Sequence, residues 1–205
     1  MNKAEMDDNV SQAHTGENIW NLPNVLTMIR LVLVPVFILL LLNGSIGAQW
    51  AAFIVFIVAS LTDLFDGKIA RSRNLITDWG KIWDPIADKA LTLGAFVTLS
   101  VTGVLPWWFT VIVAFRELGI TWMRSRLLKK GIVVAANSGG KLKTVSQMTL
   151  ILFLVFPWDA VLGMEIALFN SIPLVVIRWI LIVVAFVLTV WSGLQYVIAA
   201  VKMKK

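Results

Sequence analysis

The chain has no cysteine and a single histidine, His14, in 205 residues. The lack of cysteine excludes disulfide bonds, thiolate metal sites and cysteine nucleophiles. His14 lies in a polar segment ahead of the first apolar run, where we expect a solvated side chain with no catalytic part. Charged residues make up only 15% of the chain, against 59% hydrophobic residues and a mean hydropathy of +0.84. Such a composition indicates one integral membrane domain with no separate soluble module.

Six apolar runs are long enough, at about 20 residues each, to cross a bilayer as helices. We therefore predict an all-α integral membrane fold with six transmembrane helices. Residues 1–20 are polar and contain no such run, so we expect a flexible cytoplasmic tail followed by a membrane domain over residues 21–205. The predicted helices lie near residues 28–43, 49–71, 82–102, 106–128, 142–161 and 173–200.

The positive charge is distributed unevenly between the connections of these helices. Lysine and arginine are absent from residues 44–48, 103–108 and 157–172, whereas the remaining connections and the C-terminus are rich in both. Because positive charge stays on the cytoplasmic side, we expect a multi-pass protein of a bacterial inner or plasma membrane with both termini in the cytoplasm. The net charge of +6 then fits anionic lipid headgroups, and we expect no nucleic-acid partner.

Four aspartates lie where the second and third predicted helices meet their connection. Asp63 and Asp66 are three residues apart, and Asp84 and Asp88 are four apart, so each pair shares one helix face. A carboxylate within a membrane span costs roughly 2.5–3.5 kcal/mol, and four together also repel one another. Two hard divalent cations bound by oxygen ligands would compensate both costs, and such a pair assists phosphoryl displacement.

Small residues accompany these acids. Gly67, Ala70 and Gly80 lie at helical spacing from the aspartates, where the missing side-chain bulk lets a ligand or a neighbouring helix approach the backbone. Arg71, one turn beyond Gly67, can bind phosphate oxygens. Ordinary ion pairing with nearby lysines and arginines would explain any one aspartate, but it requires neither the helical register nor the small residues.

Residues 63–88 read D-x2-D-G-x2-A-R-x8-G-x3-D-x3-D, which resembles the signature of the CDP-alcohol phosphotransferases. The resemblance implies that Asp63, Asp66, Asp84 and Asp88 hold two divalent cations, Mg²⁺ or Mn²⁺, and that Asp88 is also the general base. Residues 23–27 resemble the family's other nucleotide-contacting segment, although Asn24 or Thr27 could instead cap a helix. The implied CDP-diacylglycerol site comprises Asn24, Thr27, Gly67, Ala70, Arg71, Thr77 and Gly80.

The family implies direct transfer of a phosphatidyl group from CDP-diacylglycerol to an alcohol, with CMP as the leaving group. Residues 116–121 and 140–144 are similar to the phosphatidylglycerophosphate synthase branch, which favours sn-glycerol 3-phosphate as the acceptor. Arg116, inside an apolar helix, is a candidate ligand of the acceptor phosphate, unless it is paired with Glu117 or Asp88. The predicted acceptor site comprises Arg116, Arg124, Lys141 and Lys143.

Three alternatives stay open at this point. A sister enzyme would use myo-inositol phosphate or phosphatidylglycerol as the acceptor. A divalent-cation transporter is disfavoured because its acids usually lie near the bilayer midplane. Arg178, near the far end of the last span, could extend to the outer interface or reach inward. The family also implies a homodimer, for which Gly94 and Ala95 offer weak support as small interface residues.

Overall fold

The computed structural model describes residues 21–72, 78–131, 138–163 and 166–203, excluding the side chains of residues 64–72, 78, 81, 82 and 138. Every regular element within these ranges is helical, which confirms the all-α class for this part of the chain. The helices are α1 (Leu22–Asn43), α2 (Ile46–Ser72), α3 (Asp78–Val101), α4 (Trp107–Leu128), α5 (Ser138–Val155), α6 (Trp158–Leu162), α7 (Ala167–Asn170) and α8 (Ile172–Lys202).

The six long helices correspond to the six predicted runs, with two instructive differences at their ends. Helix α1 begins at Leu22 instead of residue 28 because Asn21 is its N-cap and accepts a hydrogen bond from the backbone N–H of Asn24 at 3.0 Å. Pro23 in the first turn suits a helix start, since its missing N–H would have no partner there. The cap is therefore Asn21, and the alternative that Asn24 or Thr27 caps this helix was wrong.

Helix α5 ends at Val155, whereas the sequence predicted a run to residue 161. Pro157 explains the difference, because proline cannot donate to the helical ladder and restricts the residue before it. The chain then forms the short helices α6 and α7 before α8 begins. Hydropathy alone did not detect this interruption, since residues on both sides of Pro157 are apolar.

The core lies between α1, α2, α3 and the adjoining faces of α4, α5 and α8. Aromatic pairs mark its centre: the ring centroids of Phe37 and Phe56 are 5.4 Å apart, and those of Phe96 and Phe109 are 5.3 Å apart. All four side chains are fully buried. Helix α1 packs against both α2 and α3, and α8 packs against α4 and α5. Helix α3 also contacts α4 and α5, so the predicted site residues on these three helices lie where the two groups meet.

The outward surface of the bundle is apolar. Phe115 is 81% exposed and Ile172 is 78% exposed, values that suit contact with lipid chains better than contact with water. Within the described residues, three helical segments are long and apolar enough to cross a membrane: Leu22–Asn43, Ile46–Asp63 and Ile172–Lys202. Helices α3, α4 and α5 also have the length of a span, but they carry more polar residues.

Gly94 and Ala95 serve packing within the chain. A Cβ atom on Gly94 would lie 3.3 Å from Cδ1 of Ile38 on α1, and Ala95 is fully buried. The small residues thus allow α3 to approach α1 closely. They give no support to a dimer interface, contrary to the sequence interpretation.

We expect Gly94→Leu to lower the thermal stability of the protein in detergent, because the added side chain must displace Ile38 from the contact between α1 and α3. A matched control is Gly119→Leu, since a Cβ at Gly119, also within a helix, meets no atom within 4 Å. Both changes raise helix propensity equally, so the difference in melting temperature reports the packing alone. Equal melting temperatures would contradict this role of Gly94.

Candidate active site

Helix α1 presents a row of buried polar side chains to the aspartate region. Asn24, Thr27 and Arg30 follow one another at intervals of three residues, so they share one helix face. Their exposed fractions are 1%, 0% and 0%. Polar groups buried to this degree need partners, and their partners include the aspartates of α2 and α3.

Two side-chain contacts connect α1 to the two aspartate pairs. Nη1 of Arg30 donates to Oδ1 of Asp63 on α2 at 2.7 Å. The hydroxyl oxygen of Thr27 lies within hydrogen-bonding distance of Oδ1 of Asp84 on α3 and of the Pro23 carbonyl oxygen at 3.2 Å. Helix α1 thereby orients one carboxylate from each pair.

The sequence interpretation missed Arg30. The sequence could have indicated Arg30 as a functional candidate, because an arginine within the apolar run of α1 is as unusual as Arg116 within α4. The motif pattern directed attention to residues 63–88, and the register of α1 against that motif follows only from packing.

The structure locates three of the four predicted metal ligands by their side chains. Asp63, Asp84 and Asp88 are partly buried, while the side chain of Asp66 lies outside the described set. In that set, no three acidic or histidine side chains form a metal-binding group. The oxygen donors of Asp63 and Asp84 nevertheless suit a hard divalent cation, and their contacts with Arg30 and Thr27 fix the orientation of each carboxylate.

The predicted nucleotide contacts are described to different degrees. Gly80 lies buried in the first turn of α3, and the buried Asn24 and Thr27 lie on α1, whose Thr27 contacts Asp84. The backbone of residues 67–71 is helical, but the side chains of Ala70 and Arg71 are outside the described set, as is the whole of Thr77.

A cavity of about 1220 Å³ opens between α3, α4, α5 and α8. All four residues of the predicted acceptor site line it: Arg116, Arg124, Lys141 and Lys143. A smaller hollow of about 20 Å³ beside it is lined by Asp88. Lys89, Glu117 and Lys143 border both spaces, so the basic cavity extends to the immediate surroundings of the predicted general base.

Glu117 connects the basic residues of this cavity. Its Oε1 accepts from Nη1 of Arg116 at 3.0 Å and from Nζ of Lys143 at 2.6 Å. Nη2 of Arg116 donates to Oγ of Ser192 on α8 at 2.7 Å. Arg116 is therefore paired with Glu117, as one of the two sequence alternatives held, and it also lines the cavity.

Two further residues of α8 lie beside the arginines of this cavity and were not identified from the sequence. A Cβ atom on Gly193 would lie 3.3 Å from Cγ and 3.4 Å from Nε of Arg116, so the glycine lets the arginine cross α8 at close range. The hydroxyl of Tyr196 is enclosed without a hydrogen-bond partner among the described residues, and Cζ of Arg124 lies 5.7 Å from its ring centroid. Tyr196 is the chain's only tyrosine, a signal that composition could have offered.

A sequence profile of the CDP-alcohol phosphatidyltransferase family matches residues 20–191, which is most of the chain. The protein belongs to this family. The match spans the aspartate signature, the row of polar residues on α1 and the basic cavity, although it ends before Gly193 and Tyr196.

Bacterial relatives cover nearly the whole chain. A Mycobacterium tuberculosis protein named "Probable phosphatidylglycerophosphate synthase" is 40% identical over 200 residues, covering 94% of this chain and 90% of its own length. Two proteins named "CDP-diacylglycerol--glycerol-3-phosphate 3-phosphatidyltransferase" are also similar. The one from Escherichia coli is 37% identical over 88% of this chain and 95% of its own. The one from Bacillus subtilis is 34% identical over 87% and 94% respectively.

We expect Arg30→Met to lower the free energy of unfolding by about 1–3 kcal/mol, because it deprives Asp63 of a charged hydrogen bond. The loss of unfolding free energy should be smaller than that expected for a fully buried ion pair, since the Asp63 side chain is 37% exposed. Equilibrium unfolding in detergent measures it. Arg126→Met removes the same charge from an exposed position and is the matched control. A loss no larger than that of the control would show that the Arg30–Asp63 contact contributes little.

Proposed function

We propose that the protein transfers the phosphatidyl group of CDP-diacylglycerol to sn-glycerol 3-phosphate, forming phosphatidylglycerol phosphate and CMP. The observation that carries this proposal is the convergence of Arg116, Arg124, Lys141 and Lys143 on one cavity that borders the surroundings of Asp88. The names of the relatives support the same reaction.

The charge of the cavity suits an acceptor that itself carries phosphate. Among the described residues, five basic side chains line it, those four and Lys89, against one acid, Glu117. Glu117 neutralises part of this charge, and the surplus attracts a dianion. Arginine forks bind phosphate oxygens in pairs, and lysine adds a point charge, so the set can hold one phosphate firmly. A neutral alcohol would leave these cations uncompensated.

The acceptor phosphate in this cavity would place the hydroxyl of the alcohol toward Asp88. Asp88 takes the hydroxyl proton, and the alcohol oxygen forms a new bond to the phosphorus that carries diacylglycerol. The bond between that phosphorus and the bridging oxygen breaks, and CMP leaves with both electrons. Because a carboxylate is a weak base for an alcohol, orientation by the cavity supplies a large share of the acceleration.

The proposed metal site comprises Asp63, Asp66, Asp84 and Asp88, which would hold two divalent cations, Mg²⁺ or Mn²⁺. When bound, these cations would neutralise the charge that builds up on the diphosphate as CMP departs. The chain's own contribution is orientation: Arg30 holds Asp63, and Thr27 holds Asp84. Contacts of this kind fix ligands in place before the ion binds.

The proposed CDP-diacylglycerol site lies between α1, α2 and α3. It retains Asn24, Thr27, Gly67, Ala70, Arg71, Thr77 and Gly80. The burial of Asn24, Thr27 and Gly80 supports it, because these residues flank the end of the bundle where Asp84 lies. A lateral opening toward lipid is a physical requirement, since the acyl chains stay in the bilayer while cytidine sits in water.

For the membrane arrangement, we propose that all six long helices cross the bilayer and that residues 21–205 form one membrane domain. The apolar outward surface and the charge asymmetry of the connections support this arrangement. Both termini and the aspartates would then face the cytoplasm of a bacterial plasma membrane. We also propose a homodimer, which is supported by the resemblance to the family alone.

Purified protein with CDP-diacylglycerol and Mg²⁺ should release CMP with sn-glycerol 3-phosphate, and much less with myo-inositol phosphate or phosphatidylglycerol. The match between a small dianion and the basic cavity disfavours phosphatidylglycerol, and the names of the relatives favour glycerol 3-phosphate over myo-inositol phosphate, which is also a dianion. Measurement of CMP release decides the acceptor.

Asp88→Asn should abolish CMP release while CDP-diacylglycerol still binds, since the amide cannot take the proton. Release with another acceptor alone would refute the proposed substrate, and full activity of Asp88→Asn would remove Asp88 as the base.

We expect Arg116→Ala to raise the KM for sn-glycerol 3-phosphate at least about tenfold, with a smaller effect on the KM for CDP-diacylglycerol, because a charged hydrogen bond is worth about 1.5–3 kcal/mol. Gly193→Ala should act in the same direction more weakly, since the new Cβ displaces Arg116. Gly140→Ala is the matched control: its Cβ meets no atom within 4 Å, although Gly140 also borders the cavity. Equal effects on both substrates would assign Arg116 a purely structural role.

A further inference from the structure

Arg178 is a buried arginine that the proposed reaction does not use. It lies near the beginning of α8, and its exposed fraction is 7%. Its Nε and Nη1 atoms are enclosed and have no hydrogen-bond partner in the part of the chain that the structure describes. A guanidinium cannot give up its proton under ordinary conditions, so a charge at this depth calls for a counter-ion.

The position of Arg178 is remote from the acceptor cavity. Ser192, which contacts Arg116, follows fourteen residues later on the same helix, a distance of about 21 Å along the helix axis. Arg178 therefore belongs to the opposite end of the bundle. No lysine or arginine occurs in residues 157–172, which lead into α8, so the charge of Arg178 stands apart from the chain's other basic clusters.

Aromatic rings cover the guanidinium without meeting its need for acceptors. Cζ of Arg178 lies 4.3 Å from the ring centroid of Phe169 on α7 and 5.8 Å from that of Trp179. Such contacts stabilise the charge from the faces of the guanidinium plane. These ring contacts lie on the faces of the guanidinium and leave the in-plane N–H groups of Nε and Nη1 without acceptors among the described residues.

The carboxylate of Asp159 on α6 is used elsewhere. Its Oδ1 accepts a hydrogen bond from the backbone N–H of Ala167 at 2.7 Å, which fixes the beginning of α7. No ion pair with Arg178 occurs among the described residues. The side chain of a helical residue leans toward the N-terminus, and its position over Phe169 places the guanidinium beside the beginning of α8. The N-cap of α8, Ser171, makes no side-chain capping bond, and the positive end of the helix dipole also attracts anions.

The surroundings indicate what kind of anion would bind. Phe169 and Trp179, whose rings lie beside the guanidinium, are each 44% exposed, so apolar side chains that reach the outer surface adjoin the buried charge. A molecule that carries an oxyanion next to long apolar chains satisfies both features. We propose that Arg178 binds the phosphodiester of a phospholipid headgroup at the end of the bundle opposite the acceptor cavity, with the acyl chains beside Phe169 and Trp179.

The test compares melting temperatures of the purified full-length protein in dodecyl maltoside with and without added ligand. Dioleoyl phosphatidylglycerol should raise the melting temperature of the unaltered protein by about 3–5 °C, as expected for a ligand well above its dissociation constant. The rise should be largely lost in Arg178→Gln. Arg178→Lys should show an intermediate rise, because an ammonium group cannot bind two oxygens as a fork.

The control variant is Arg126→Gln. Arg126 also lies over an aromatic ring, with Cζ 4.9 Å from the ring centroid of Trp122, but it is exposed and lies near the C-terminal end of α4. It should keep the full lipid-dependent rise. CMP release by Arg178→Gln should equal that of the unaltered protein, which separates this proposal from the proposed reaction.

Two further ligands identify the source of the phosphate. Dioleoylglycerol, which has the chains without phosphate, and inorganic phosphate, which has the anion without chains, should each leave the melting temperature nearly unchanged. A rise with inorganic phosphate that depends on Arg178 would overturn the lipid assignment. A lipid-dependent rise that persists in Arg178→Gln would overturn the site.

Glu165 lies outside the described residues, and Glu165→Gln is included to test a counter-ion from the chain itself. An internal pair predicts that Glu165→Gln and Arg178→Gln lower the melting temperature equally without lipid, and that lipid has no effect on the unaltered protein. That result would overturn the proposal. If Arg178→Gln does not fold, the mass of phospholipid that copurifies with Arg178→Lys is compared with the mass that copurifies with Arg126→Gln. Less lipid on Arg178→Lys supports the site, and equal amounts overturn it.

Discussion

Charge inside an apolar helix bundle must be compensated, and the architecture of this protein depends on that requirement. Arg30 is fully buried on α1 and lies 2.7 Å from Oδ1 of Asp63 on α2. Thr27, one turn earlier, contacts Asp84 on α3. These contacts join residues that are close in space but far apart in sequence. They therefore couple the packing of three helices to the orientation of two carboxylates. The fold and the candidate metal site are therefore stabilised by the same side chains.

The same principle shapes the basic cavity between α3, α4, α5 and α8. Glu117 accepts from both Arg116 and Lys143, which holds two cations side by side that would otherwise repel each other. Among the described residues that line the cavity, one acid faces five basic side chains, so positive charge is in surplus there. Gly193 leaves room for the Arg116 side chain, since any Cβ there would approach Arg116 within 3.4 Å. A fixed and incompletely neutralised set of donors is suited to a dianionic ligand.

Arg178 is the contrasting case, because it is buried without an ion pair among the described residues. At one end of α8, Arg116 finds Glu117 and Ser192 from the protein itself. At the other end, aromatic rings provide the contacts that the structure describes for the charge. A phospholipid of the surrounding bilayer can complete such a site, since it carries both an anionic headgroup and apolar chains.

Local sequence patterns predicted the helical class, six long helices to within a few residues at most ends, and the aspartates at the junction of α2 and α3. Hydropathy and helical spacing are local properties, so they can be read from consecutive residues. The sequence also indicated four basic residues for the acceptor, because cations beside apolar runs are costly and stand out. Pro157, Asn21 and the early start of α1 show the limit of that approach: hydropathy averages over a window and does not locate caps or interruptions.

Which of these residues contact one another depends on how the helices pack. The pairing of Arg30 with Asp63, the choice of Glu117 over Asp88 as the partner of Arg116, and the use of Gly94 for packing against Ile38 all depend on the rotation of one helix against another. That rotation is fixed by the fit of many side chains at once, such as Phe37 against Phe56. No single residue or spacing encodes it, and for this reason the motif could be recognised from the sequence while the contacts that orient it could not.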